Sequence, residues 1–112
     1  MTEDLAAITL MQRIPHHFSR ADVEAALIFQ VDEAGANAIA GSLFDEREGG
    51  FVIEVGGNYP FLGLLLAAIA QSSPRHQLLV DEFLRDVAQD ARCTAEYLEG
   101  RRRLAANNGE RF

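Results

Sequence analysis

A chain of 112 residues with 48% hydrophobic and 24% charged side chains has the composition of one globular domain rather than a disordered segment. Residues 1–100 hold sixteen Asp and Glu against six Arg, a net of −10, whereas residues 101–112 hold four Arg against Glu110, a net of +3. An acidic body with a short basic end argues against a nucleic-acid-gripping surface, and a single cysteine, Cys93, excludes an internal disulfide and fits a reducing compartment.

The N-terminus, Met-Thr-Glu-Asp, is acidic where a signal peptide would be basic. Residues 2–12 read either as a short helix with Leu5, Ile8 and Met11 on one face or as an extended segment, ended by Pro15. Ser19 is a good N-cap with Asp22 three residues on, an approximate capping box opening a helix at Arg20. Leu27 to Val31 groups branched and aromatic residues, so the helix is expected to give way to a strand near Ala26, with a longer helix to Glu33 as the competing reading. Asp32-Glu33-Ala34-Gly35 looks like a turn. In 36–44, Ile39 and Leu43 are helically spaced, but Gly41 weakens a helix by ~1 kcal/mol relative to alanine. Asp45 to Gly50 has hairpin chemistry, and Phe51-Val52-Ile53-Glu54-Val55 is the strongest strand pattern. A strand needs ladder partners, and the nearest segment is Ile39 to Phe44, with 23–31 as a third strand.

Beyond Gly56-Gly57-Asn58 the pattern turns helical. Pro60 suits a first turn, and Phe61 to Gln71 is apolar nearly all round. Its ten-residue apolar run, Phe61 to Ala70, falls short of the about 20 residues a membrane span needs. Ser73 and Pro74 open a helix read as running to about Ala106, with Val80, Leu84, Val87, Ala91 and Leu98 as its apolar stripe. A strand hairpin turning at Gln89 to Ala91 is the alternative for 76–99. The expected architecture is α+β: a small antiparallel sheet at about 26–56 with a C-terminal helical pair, 60–71 and 74–106, packed on it. One domain spans 1–106, with a short tail at 107–112.

No motif dictates a chemistry. Adjacent His16 and His17 diverge in direction, and His76 has no spaced partner, so no metal site is expected. The glycines at 49–50 and 56–57 match no phosphate loop, and no cofactor is expected. Cys93 lies off the stripe and reads as a small apolar contact. The apolar helix is the candidate partner interface through Phe61, Leu62, Leu65, Leu66 and Ile69, because an apolar surface of that size exceeds one face of a small core; complete burial between sheet and last helix is the alternative. Asp45, Glu46 and Glu48 at one end, and Arg101, Arg102 and Arg103 at the other, are candidate docking charges, the arginines also suiting a helix C-terminus. These features describe a small acidic, non-enzymatic cytoplasmic module, an adaptor, inhibitor or assembly factor, that binds a protein partner or itself. The alternatives are a structural subunit of a larger assembly, such as a phage or particle component, and a small ligand-binding protein or enzyme using His16, His17 and Tyr59 at a subunit cleft.

Overall fold

The computed structural model describes residues 2–28, 32–44 and 59–110. Six α-helices account for most of them: α1 (Thr2–Gln12), α2 (Arg20–Leu27), α3 (Glu33–Phe44), α4 (Tyr59–Ser72), α5 (Pro74–Asp86) and α6 (Ala91–Glu110), with a single 3₁₀ turn at Ile14–His16 after α1. The described residues contain no strand, so the α+β expectation, with 26–28 and 36–44 in a sheet, is corrected to an all-helical arrangement of the described residues. The candidate strand 51–55 and the turn 45–50 lie outside the described residues.

The correction has a physical origin in 36–44. Ala36, Ile39, Ala40 and Leu43 recur at helical spacing and are all buried. Gly41, which weighed against a helix, is half-buried rather than at the packed seam, so its cost falls on propensity alone, and burial of the neighbouring stripe offsets it. α2 ends at Leu27 with Ile28 as its C-cap, so 23–27 is helix and not the third strand, and 29–31 lie outside the described residues.

The helix starts follow their local chemistry. The Ser19 hydroxyl accepts the Asp22 N–H at 3.1 Å, and the Ser19 N–H donates to the Asp22 carboxylate at 3.2 Å, a complete capping box. Ser73 caps α5 by accepting the His76 N–H at 3.1 Å, with Pro74 in the first turn.

The core is built around α4, which packs most extensively on α6 and also meets α5, α2 and α1. Leu62, Leu66, Ala67 and Ile69 are fully buried, joined by Met11, Ile14, Val23, Val80 and Phe83. The single helix expected over 74–106 is broken at 87–90. That break resets the helical phase. Cys93, Tyr97, Gly100 and Leu104 become the buried stripe of α6, while Ala91 and Leu98, expected on the apolar side, are exposed. Asp90 makes the new start: its side chain accepts the Cys93 N–H at 3.1 Å, capping the first turn. Among the described residues, no helix is long and apolar enough to cross a membrane.

Candidate functional site

The candidate partner interface on α4 is placed inside the molecule. Leu62, Leu65, Leu66 and Ile69 are buried in this one chain, and Phe61 is half-buried against the core. A helix that is apolar all round needs neighbours on every side, and α1, α2, α5 and α6 supply them. Complete burial was the alternative to the interface reading, with helices in place of the sheet. The candidate docking charges Asp45, Glu46 and Glu48 lie outside the described residues. Arg101, Arg102 and Arg103 are exposed on α6. Arg102 and Arg103 share Glu99, at 2.9 Å from the Arg102 Nε and 3.4 Å from the Arg103 Nε, which holds the Glu99 carboxyl down at about 2. Arg101 instead lies 5.8 Å from the centre of the Tyr97 ring.

Three polar clusters join helix ends. In the first, the Asp22 carboxylate accepts the His76 Nε2–H at 2.9 Å and the Arg75 guanidinium at 3.1 Å, beyond its own capping bond to Ser19. The His76 bond, above all, holds the Asp22 carboxyl well below the usual carboxylate range, against the opposing effect of burial. On the other side of the ring, the Ser72 and Ser73 hydroxyls lie 2.7 Å and 2.9 Å from Nδ1. Hydroxyl, imidazole and carboxylate thus stand in the order of a hydrolase triad. The Ser73 oxygen also accepts the first-turn N–H of its own helix, and the Ser72 hydroxyl donates to the Ile69 carbonyl at 2.7 Å, so both hydroxyls are engaged at the junction of α4 and α5. Asp22 and His76 each occupy the third position of a helix, and the cluster clips the N-termini of α2 and α5 around one negative charge.

In the second cluster, the Tyr59 hydroxyl donates to Asp90 at 2.6 Å, tying the start of α4 to the start of α6, with the Arg92 guanidinium 4.7 Å from the ring centre. Burial, then the bond to Asp90, pushes the Tyr59 phenol up to about 12. Burial also pushes the Cys93 thiol up to about 12, the wrong direction for a nucleophile. In the third, Asp86 receives Arg13 and, at 3.2 Å, His17, whose ring stands T-shaped to that of Phe83 with centres 5.4 Å apart. His17 and Tyr59, expected at one cleft, therefore engage different carboxylates, and His16 is exposed. Among the described residues, no group of three or more His, Cys, Asp or Glu is placed to hold a metal ion.

The feature that sequence reasoning missed is an open groove of about 820 Å³ between α2 and α3. Its walls are small, Ala21 and Ala25 from α2 and Ala34 and Ala36 from α3, and Ile28, 45% exposed, contributes its apolar surface. Glu24, Asp32 and Glu33 line it as well, and Arg20 bridges Glu24 and Asn37 at 2.9 Å each. The alanine repeat in 21–40 was the available signal, but with a strand expected after Ala26, a turn at 32–35 and a strand preferred for 39–44 it was not read as two facing helices. Comparisons with protein-family models, curated proteins and solved structures find no match for this chain.

Proposed function

We propose that this chain is a small acidic, non-enzymatic protein-interaction module, an adaptor, inhibitor or assembly factor, that receives a cationic helical segment of a protein partner in the α2–α3 groove. The observation that carries the reading is the groove itself. Alanine walls let a partner backbone approach closely, Ile28 offers an apolar anchor point, and among the described residues Glu24, Asp32 and Glu33 against Arg20 leave a charge of −2. Amphipathic helices dock in such grooves through residues at i, i+3, i+4 and i+7. Charge complementarity adds association rate and selectivity for a basic partner. The hydroxyl, imidazole and carboxylate groups that could serve catalysis are spent on helix ends, which favours the binding reading over the enzymatic one.

The test is a titration of isotopically labelled protein with an arginine-rich amphipathic helical peptide, using an acidic peptide of equal length as control. Amide shifts should concentrate at Ala21, Ala25, Ile28 and Ala34, and Ala25→Arg, which places bulk and positive charge in the groove, should weaken binding by about tenfold or more, equivalent to about 1.4 kcal/mol. Shifts located elsewhere, or an affinity indifferent to Ala25→Arg, would overturn the proposal.

A further inference from the structure

Resting on the groove reading above, we propose that the groove's occupant is the outer face of α6 from a second copy of this chain, giving head-to-tail association. The inner face of α6 is committed to α4 through Cys93, Tyr97, Gly100 and Leu104. The opposite face carries Ala95, Leu98, Arg102 and Ala105, spaced three and four apart and all exposed, with Leu98 at 57%. This is the anchor pattern of a helix that lies in a groove: an apolar side chain flanked by small ones, with arginines alongside. Leu98 would meet Ile28 and the alanine walls, and the arginines would face Glu33 and Asp32.

The charges are opposite. Arg92, Arg101, Arg102 and Arg103 against Glu96, Glu99 and Glu110 leave +1 on α6, with the three arginines 101–103 adjacent, and Glu24, Asp32 and Glu33 against Arg20 leave −2 at the groove. Groove and helix are different surfaces of the same molecule, so the contact is heterologous. Each dimer leaves one groove and one helix open, and growth continues into a chain or a ring. One helix in one groove buries less than the roughly 800 Å² per partner of a standard interface. The association is therefore weak, concentration-dependent and salt-sensitive, since exposed ion pairs are screened within about 10 Å at ~0.1 M salt.

The experiment is light scattering after size exclusion over a concentration series at low and high salt. Wild type should rise from 12.3 kDa to about twofold that mass or more at low salt, as head-to-tail growth requires, and return to monomer at high salt. Ala25→Arg, and separately the double variant Arg102→Glu with Arg103→Glu, should each remain monomeric with unchanged helical circular dichroism. Leu98→Ser, an exposed change, gives a second block of the helix face should the charge reversal disturb folding. The decisive step is mixing. Ala25→Arg keeps an intact helix face and the double variant keeps an intact groove, so together they should form a one-to-one heterodimer that cannot grow further. Wild type that stays monomeric throughout, a mixture that stays monomeric, or a wild-type dimer indifferent to Ala25→Arg would each overturn the inference. If the arginine-rich peptide still enters the groove in that event, the groove reading stands and only the second copy is excluded as its occupant.

Discussion

Gly63 and Gly100 bring the backbones of α4 and α6 into direct contact. A Cβ at Gly63 would lie 2.1 Å from the Glu96 carbonyl oxygen, and one at Gly100 would lie 2.6 Å from the Gly63 carbonyl oxygen. In each case the obstacle is backbone, which cannot move aside as a flexible side-chain end could. Two glycines therefore set the separation of the most extensive helix pair in the molecule.

Gly63→Ala should accordingly destabilise by about 1–3 kcal/mol or more, as overpacking does, with Gly100→Ala also costly. Gly41→Ala is the contrast: its added Cβ would meet the Arg20 guanidinium at an ordinary 3.6 Å. Relieved of glycine's helix penalty, that variant should gain about 0.5–1 kcal/mol. Urea midpoints of the three variants check the ordering.

The Asp22–His76 clip gives the fold an acid dependence. The folded carboxyl titrates below its ordinary 3.8, so its contribution is fully present above that value and lost as pH falls below it. Asp22→Asn should cost about 1–3 kcal/mol near neutrality, the scale for a hydrogen bond to a charged group. The variant's unfolding free energy should decline less steeply than wild type between pH 5 and pH 2. Equal slopes would mean that Asp22 is not held ionised by the clip.

At the alkaline side the sign is reversed. The folded Tyr59 phenol, pushed up to about 12 from 10.0, stabilises the fold fully below pH 10, and that contribution is lost as pH rises toward 12. An ultraviolet tyrosinate titration should contain a late phase that Tyr59→Phe removes. The same variant should cost about 1 kcal/mol by deleting the bond to Asp90.

Cys93, fully buried with its thiol pushed up to about 12, should resist a thiol-disulfide reagent at pH 8 in the folded protein and react completely in denaturant. Rapid labelling of folded protein would contradict its burial.

Leu66 and Leu98 separate core from surface. Leu66→Ala should cost about 2–5 kcal/mol, the range for truncation in a core. Leu98→Ala should stay within about 0.5 kcal/mol, as surface changes do. Thermal unfolding of the two variants measures the difference.

Local signals in the sequence carried the starts of α2, α4 and α5 and little beyond them. Ser19 with Asp22, Ser73 with Pro74, and Pro60 at the head of an apolar run are short-range chemistry, and the helices begin where that chemistry puts them. The segment 36–44 was not decidable locally, because Gly41 and the helical spacing of Ile39 and Leu43 pull in opposite directions and only burial against α2 chooses between them. The exposure of Leu98 was likewise invisible: a periodicity read through Val87 to Asp90 assumes an unbroken helix, and the Asp90 cap shifts the phase of everything after it.

The sequence by itself determined the acidic body with its basic end, the apolar character of α4 and the capping of α2 and α5, all properties of composition or of residues within a turn of one another. Tertiary structure alone decided that Leu62, Leu65, Leu66 and Ile69 are buried in the core of the chain, that Gly63 meets Gly100 and Asp22 meets His76, and that alanines from two helices wall a groove. Those relationships join side chains and backbones tens of residues apart, and the free energy that selects them is the burial of apolar surface shared among helices, a quantity that no single segment contains.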